Sequence, residues 1–129
     1  LIGDGDIAGA LRAATGEADL LLGIGAAPEG VITATALRGI GGFFEGRLHF
    51  HKPEFRARAV EMLGDDVDRL WQRDELCTSD DAVFVATGVC DGWLPGPVAG
   101  KSGTVTTSRV ISVADSRDEI IRHEHAPAS

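Results

Sequence analysis

Basic residues are scarce in this sequence, and cysteines are scarcer still. The chain has 12 lysines and arginines against 20 aspartates and glutamates, which gives a formal net charge of −8. Such an acidic surface repels nucleic acid and anionic membranes, so we expect neither as a partner. The two cysteines, Cys77 and Cys90, lack the paired spacing of a metal site. We expect free thiols in a reducing cytoplasm, with a disulfide between them left open.

Long apolar runs are missing as well. No stretch approaches the roughly 18 residues that a membrane-spanning helix needs, and the first residues do not resemble a signal peptide. At 129 residues, of which 43% are hydrophobic, the chain has the length and composition of one domain with one core. It begins at Leu1 rather than at Met, with residues typical of the interior of a fold. We therefore expect a fragment of a longer protein.

The rest of the chain is expected to be organised around residues 18–30. The apolar run within Leu20–Ile24 predicts a buried strand that is covered on both faces. Gly23 and Gly25 allow a tight turn and the close approach of a ligand, and Pro28 suits the first position of a helix. A strand, a loop and a helix N-terminus in this order attract phosphate. A plain strand-to-helix connection explains the same pattern equally well.

Two nucleotide-binding motifs do not fit this stretch. Pro28 stands where G-x-G-x-x-G requires its third glycine, which disfavours a dinucleotide. The Lys-Ser/Thr end of a P-loop is also missing, which disfavours a nucleoside triphosphate. Because the chain is acidic, a phosphorylated ligand needs a divalent cation or a local group of N–H and basic donors. Without such a ligand, Glu29 is explained as a charge that suits the helix dipole.

The apolar pattern predicts helices alternating with strands and a hairpin at the end. We expect helices over 7–14, 29–40 and 53–63, strands over 46–51 and 82–88, and a hairpin with strands 104–113 and 119–125. Gly88 follows the carboxyl end of a strand, and our hypothesis brings it to the same edge as the Gly25 loop. The helix that begins at Pro53 is expected to bury a stripe made of Phe55, Ala59, Met62 and Leu63.

Several polar side chains have two explanations each. Asp4 or Asp6 either caps the helix that follows or binds sugar hydroxyls or water near a metal. His49 and His51 either share the face of a half-exposed strand or bind a metal, for which no third ligand is evident. A further set either faces solvent on the hairpin or contacts a phosphate: Lys101, Ser102 and Arg109.

Four segments carry a resemblance to a known family. They are Asp4-Gly5-Asp6, Leu22–Val31, Ala36-Leu37-Arg38 with Gly41-Gly42, and Ser79–Gly88, followed by the threonine-rich hairpin 104–108. On these motifs the chain resembles the class II fructose-1,6-bisphosphatases, the bacterial type that includes the fructose/sedoheptulose bisphosphatases. The resemblance covers nearly the whole chain and less than half of a family member, of which it corresponds to the C-terminal part.

The resemblance implies a fold and an activity. Residues 1–125 are expected to form the C-terminal α/β lobe of the metal-dependent sugar and inositol phosphatase fold, a mixed sheet flanked by helices, with a flexible tail over 126–129. The implied reaction is hydrolysis of the 1-phosphate of fructose 1,6-bisphosphate to fructose 6-phosphate and phosphate, with Mn²⁺ or Mg²⁺ as cofactor. The implied partners are a sugar bisphosphate and the missing N-terminal half, and the complete protein is expected to be a cytoplasmic homo-oligomer.

The resemblance also implies residue roles. Glu29, in the A-P-E-G motif, matches a metal-ligand position, and Asp4, Gly5 and Asp6 match the D-G-D motif that contacts substrate. Ala26 stands where the family has a glycine that contacts substrate, and a positive φ there would add a steric cost.

The remaining metal-binding acids of the family lie in the N-terminal half, and no catalytic side chain is assigned within this chain. We therefore expect the chain alone to bind metal weakly and to hydrolyse little. The alternative is a non-catalytic sugar-phosphate-binding or assembly module derived from such an enzyme.

Overall fold

The computed structural model describes residues 5–127, in which helices pack on one face of an antiparallel sheet. The α-helices are α1 (Asp6–Ala14), α2 (Ala27–Ile40), α3 (Pro53–Leu63) and the single turn α4 (Arg73–Leu76). The strands are β1 (Glu45–Gly46), β2 (Trp71–Gln72), β3 (Val83–Thr87), β4 (Val98–Ala99), β5 (Thr104–Ser112) and β6 (Arg117–His125). This agrees with the predicted α/β class.

Glycine and proline set the ends of the helices. Gly5 has a φ of 85° and precedes α1, and Gly41 has a φ of 73° and ends α2, both in the left-handed region that glycine adopts without steric cost. Pro53 opens α3, where its missing N–H leaves no hydrogen bond unmade, and Gly64 follows the helix. The predicted helices therefore form within one or two residues of their expected bounds.

The main sheet is built around β5. This strand pairs with β6 along its whole length, and on its other side with β3 and, near its start, with β4. Every pairing between the described strands is antiparallel. A mixed sheet was expected, but the described residues contain no parallel pair of strands. The first predicted strand, at residues 20–24, does not pair with any other strand.

The core lies between α1, α2 and the sheet. Leu11, Leu37 and Ile111 are fully buried there, and Phe84 packs with them. Gly39 lies within α2, where a Cβ atom would be only 2.3 Å from Cγ2 of Ile111. The absence of a side chain at Gly39 thus lets the helix approach the sheet closely.

The prediction of a buried strand at Leu20–Ile24 is wrong for the described residues. The segment has no regular secondary structure, and Leu20, Leu22 and Ile24 are 68%, 82% and 70% exposed. Leu21 alone of the apolar run is partly buried, against the core. A strand forms by pairing with a neighbouring backbone, and it is buried only when other residues cover both of its faces. Residues 5–127 provide no pairing partner for this segment and do not cover both of its faces.

Two further predictions differ from the structure. In α3 no residue is buried and Met62 is 78% exposed, because the helix packs mainly on the 3₁₀ turn Gly64–Asp68 rather than on the core. The strand expected over 46–51 is reduced to the two residues of β1. Its partner β2 is equally short, because helix α4 begins directly after it at Arg73.

Both cysteines are free thiols, as expected, with Cys77 buried and Cys90 exposed. Among the helices of residues 5–127, none has the length and apolar character needed to cross a membrane.

Candidate functional site

Glu29 lies in the first turn of α2, and its side chain folds back on the start of the helix. The backbone N–H of Ala26, which precedes the helix, donates to Oε2 of Glu29 over 2.9 Å. Because α2 begins at Ala27, Pro28 occupies the second helical position rather than the predicted first. The carboxylate thereby satisfies one of the free N–H groups and suits the positive end of the helix dipole.

Gly25 is the point at which two carboxylates meet. A Cβ atom built on Gly25 would lie 2.9 Å from Oδ2 of Asp6 and 3.2 Å from Oε2 of Glu29. A Cβ atom on Gly23 would have no neighbour within 4 Å. The structure therefore brings together two of the predicted site residues, one from the D-G-D motif and one from A-P-E-G, at a position where only glycine leaves them room.

Ala26 has a φ of −72° and a ψ of 149°, an extended conformation that any residue adopts. The steric cost that a positive φ would have imposed does not arise. What distinguishes this position from the family pattern is therefore one methyl group in the loop that leads to Glu29.

The D-G-D motif lies at the start of α1. Asp4 is outside the described residues. Gly5 precedes the helix and accepts a hydrogen bond from the N–H of Gly9 over 3.0 Å, and Asp6 is the first helical residue. The expectation that Asp6 caps the helix is wrong, because Gly5 holds the cap position and the carboxylate of Asp6 turns toward Gly25 instead.

A cavity of about 420 Å³ separates α1 from the loop that follows β3. Gly5 and Arg12 line it from the helix, and Cys90 and Trp93 line it from the loop. The start of α1 thus approaches Gly25 and also lines a cavity with the loop after Gly88. No residue of the Gly25 loop lines this cavity, so the shared edge of the two loops stays a hypothesis. Sequence reasoning missed Arg12, although it lies two helical turns after Gly5 and hence on the same face.

The remaining candidates are engaged elsewhere. Arg109 donates two hydrogen bonds to Asp118, from Nε over 2.7 Å and from Nη2 over 2.6 Å. These hydrogen bonds lower the pKa of the Asp118 carboxyl below its ordinary value. Ser102 donates to Glu124 through both its N–H and its hydroxyl. Arg109 and Ser102 thus serve the hairpin. Ser102 is exposed, as the solvent-facing explanation expected, whereas the Arg109 side chain is only 12% exposed and does not face solvent.

His49 and His51 lie edge to face, with ring centroids 4.9 Å apart. Residues 5–127 contain no group of three His, Cys, Asp or Glu side chains arranged to hold a metal ion. The histidine pair therefore has no third ligand in this part of the chain.

A hard divalent cation fits the chemistry of the Gly25 loop in part. Mg²⁺ and Mn²⁺ prefer carboxylate oxygens, and Glu29 presents an exposed carboxylate whose orientation is fixed by the Ala26 N–H. Asp6 places a second carboxylate beside it. Two carboxylates are fewer ligands than such a cation takes, and residues 5–127 contain no larger group of ligating side chains here.

Comparison with known proteins gives a consistent result. A family model described as bacterial fructose-1,6-bisphosphatase, glpX-encoded, matches residues 1–126. Two curated relatives are named D-fructose 1,6-bisphosphatase class 2/sedoheptulose 1,7-bisphosphatase. The protein of Synechococcus sp. (strain RCC307) is 40% identical over 131 residues, covering 88% of this chain and 39% of the relative. That of Synechococcus sp. (strain JA-3-3Ab) is 37% identical over 131 residues, covering 91% of this chain and 38% of the relative. The chain thus spans about two fifths of the length of these relatives.

Proposed function

Because the chain belongs to the family of bacterial, glpX-encoded fructose-1,6-bisphosphatases, we propose that it is part of an enzyme that hydrolyses the 1-phosphate of fructose 1,6-bisphosphate. The products are fructose 6-phosphate and phosphate. The observation that carries this proposal is the meeting of Asp6 and Glu29 at Gly25, which joins the two motifs of the resemblance in one site. The chain contributes the C-terminal α/β lobe of the metal-dependent phosphatase fold.

Each site residue has a role in this reaction. Glu29 holds a Mn²⁺ or Mg²⁺ ion, which supplies an activated water and neutralises charge on the phosphoryl oxygens. Asp6, with Asp4, accepts hydrogen bonds from sugar hydroxyls and orients the substrate. The backbone of Gly5 and Ala26 lies alongside the sugar. Since relatives are also named sedoheptulose 1,7-bisphosphatases, a seven-carbon bisphosphate is a second substrate to be tested.

The isolated chain is incomplete as a catalyst. Glu29 is one carboxylate, and phosphoryl transfer needs the charge of the phosphate neutralised by firmly held cations. The other acidic ligands belong to the part of the complete protein that lies outside this chain, in keeping with the length of the relatives. A non-catalytic sugar-phosphate-binding or assembly module is the alternative, favoured by the lack of a three-ligand group in residues 5–127.

The substitution Glu29→Gln in the complete protein tests the proposal. Glutamine keeps an oxygen that accepts the Ala26 N–H, so the helix cap and the melting temperature are expected to survive. It removes the charge that holds the cation, which should cost several kcal/mol of transition-state stabilisation, roughly a hundredfold or more in turnover. The measurement is phosphate release from fructose 1,6-bisphosphate with Mn²⁺ and with Mg²⁺.

The chain offers a matched control for this variant. Glu54 also follows a proline in the first turn of a helix, α3, and its side chain is exposed. Glu54→Gln should leave turnover unchanged. Equal activity of the Glu29→Gln variant and the parent protein would contradict the role assigned to Glu29.

A further inference from the structure

The four histidines of the chain occur as two His-x-His pairs. His49 and His51 form the first pair, and His123 and His125 form the second. The ring centroids are 4.9 Å apart in the first pair and 4.6 Å apart in the second. Neither pair belongs to the Gly25 site, and imidazole is a ligand that Zn²⁺, Ni²⁺ and Cu²⁺ prefer.

The second pair lies on β6, where residues two apart point to the same face of the sheet. His123 pairs with Thr106 of β5, which is an odd number of residues from Ile111 and so faces away from the helices. Both imidazole rings are exposed there. Glu124, between the two histidines, points to the other face and accepts hydrogen bonds from the loop before β5. The two imidazoles therefore share one face without a charged neighbour between them.

The spacing of these side chains suits one tetrahedral cation. Two imidazoles bound to one zinc ion, at a Zn–N distance of about 2.1 Å, have ring centroids about 5 Å apart and ligand atoms about 3.4 Å apart. The rings of His123 and His125 are close to this separation, and Nε2 of His125 lies 2.9 Å from Oγ1 of Thr106. The rings meet edge to face at 71°. Rotation about χ2, which is a soft torsion in histidine, turns a nitrogen of each ring toward a shared ion.

The backbone distinguishes the two pairs. Strand β6 pairs with β5 along its whole length, and the ring of His125 is also held by Thr106. His49 and His51 lie within residues 47–52, which form no helix or strand. Ligands on an ordered backbone lose less conformational freedom on binding, so the strand pair is the better chelator.

We propose that His123, His125 and Thr106 bind a borderline transition-metal ion, Zn²⁺, on the face of the sheet that points away from the helices. The two imidazole nitrogens and the hydroxyl oxygen take three positions, and water takes the fourth. The net charge of −8 favours the approach of a cation to this neutral set of ligands. The site is separate from the carboxylates at Gly25, which suit the hard cations Mg²⁺ and Mn²⁺.

Calorimetric titration of Zn²⁺ into the complete protein, with excess Mg²⁺ present to occupy carboxylate sites, tests the proposal without reference to activity. His123→Gln removes one imidazole and should weaken Zn²⁺ binding about tenfold or more. His49→Gln is the control, because it breaks a pair of the same spacing on irregular backbone and should leave this affinity unchanged. An unchanged affinity in His123→Gln, or equal losses in both variants, would overturn the proposal.

A second variant should strengthen the site. Thr106→His places a third imidazole opposite His123 on the same face and should tighten Zn²⁺ binding about tenfold or more. The melting temperature without metal shows whether this variant folds like the parent protein. A folded Thr106→His variant that binds Zn²⁺ no more tightly would contradict the assigned geometry. If the variant is unstable, the comparison of His123→Gln with His49→Gln decides, since both of these side chains are exposed.

Discussion

Gly25 shows how one missing side chain determines a site. The carboxylates of Asp6 and Glu29 both approach the space that a Cβ atom would fill there. Glu29 is oriented in addition by the N–H of Ala26, which donates to Oε2 and leaves Oε1 for the cation that we propose. The functional geometry therefore depends on backbone contacts as much as on acidic side chains.

Gly25→Ala in the complete protein tests this dependence. The added methyl group displaces the two carboxylates, and we expect about 1–2 kcal/mol of lost transition-state stabilisation, roughly a tenfold fall in turnover. The apparent affinity for Mn²⁺ in the assay should fall as well. Gly23→Ala is the control, because a Cβ atom there meets no neighbour within 4 Å. Similar losses in both variants would mean that general loop stiffness, not the space at Gly25, governs activity.

At the scale of elements, the close contact between α2 and β5 dominates the core. Gly39→Ala forces a methyl group against Ile111 and should destabilise the protein by about 1–3 kcal/mol, although alanine is the better helix former. Gly30→Ala in the same helix is the control, since its Cβ atom would lie 3.9 Å from Phe44, an ordinary contact. It should be neutral or stabilising by up to about 1 kcal/mol. Urea unfolding measures both, and a destabilised Gly30→Ala variant would contradict the packing argument.

The stability that the hairpin of β5 and β6 contributes to the fold is expected to depend on pH. Arg109 lowers the pKa of Asp118 in the folded protein, so this pair stabilises the fold above the ordinary carboxyl pKa, about 3.9. The contribution disappears as the pH falls through the lowered pKa. Asp118→Asn should therefore cost about 1 kcal/mol at pH 7 and little below pH 3, as measured by thermal unfolding.

Asp65→Asn is the control for this prediction. The carboxylate of Asp65 makes no ion pair among residues 5–127. If the Asp118→Asn variant lost the same stability at pH 7 and below pH 3, the ion pair would be excluded as the cause of the loss.

Local sequence determined those elements whose partners lie within the chain. Helix α1, helix α2 and the hairpin were predicted because capping glycines, helical periodicity and β-branched runs all agree with their surroundings. Leu20–Ile24 and α3 were predicted as buried elements and are largely exposed, because no layer of residues 5–127 covers them. The resemblance assigned separate roles to Asp6 and Glu29, and their approach to each other at Gly25 required three-dimensional structure.

At the scale of the whole molecule, the chain combines a net charge of −8, an exposed apolar segment at Leu20–Ile24 and two carboxylates that approach each other at Gly25. These three features have one explanation if the chain is a lobe of a longer enzyme. The flexible tail over 126–129, a homo-oligomer and a cytoplasmic location stay predictions.

We propose that this chain holds one edge of a bisphosphatase active site and that the rest of the complete protein supplies the remainder. The most direct measurement is metal-dependent phosphate release from fructose 1,6-bisphosphate by the complete protein and by the 129-residue chain, at equal concentrations with Mn²⁺ and with Mg²⁺. We predict turnover by the complete protein that stops on removal of the metal, and almost none by the chain alone. Robust Mn²⁺-dependent phosphate release by the isolated chain, or none by the complete protein, would contradict the proposed division of the active site.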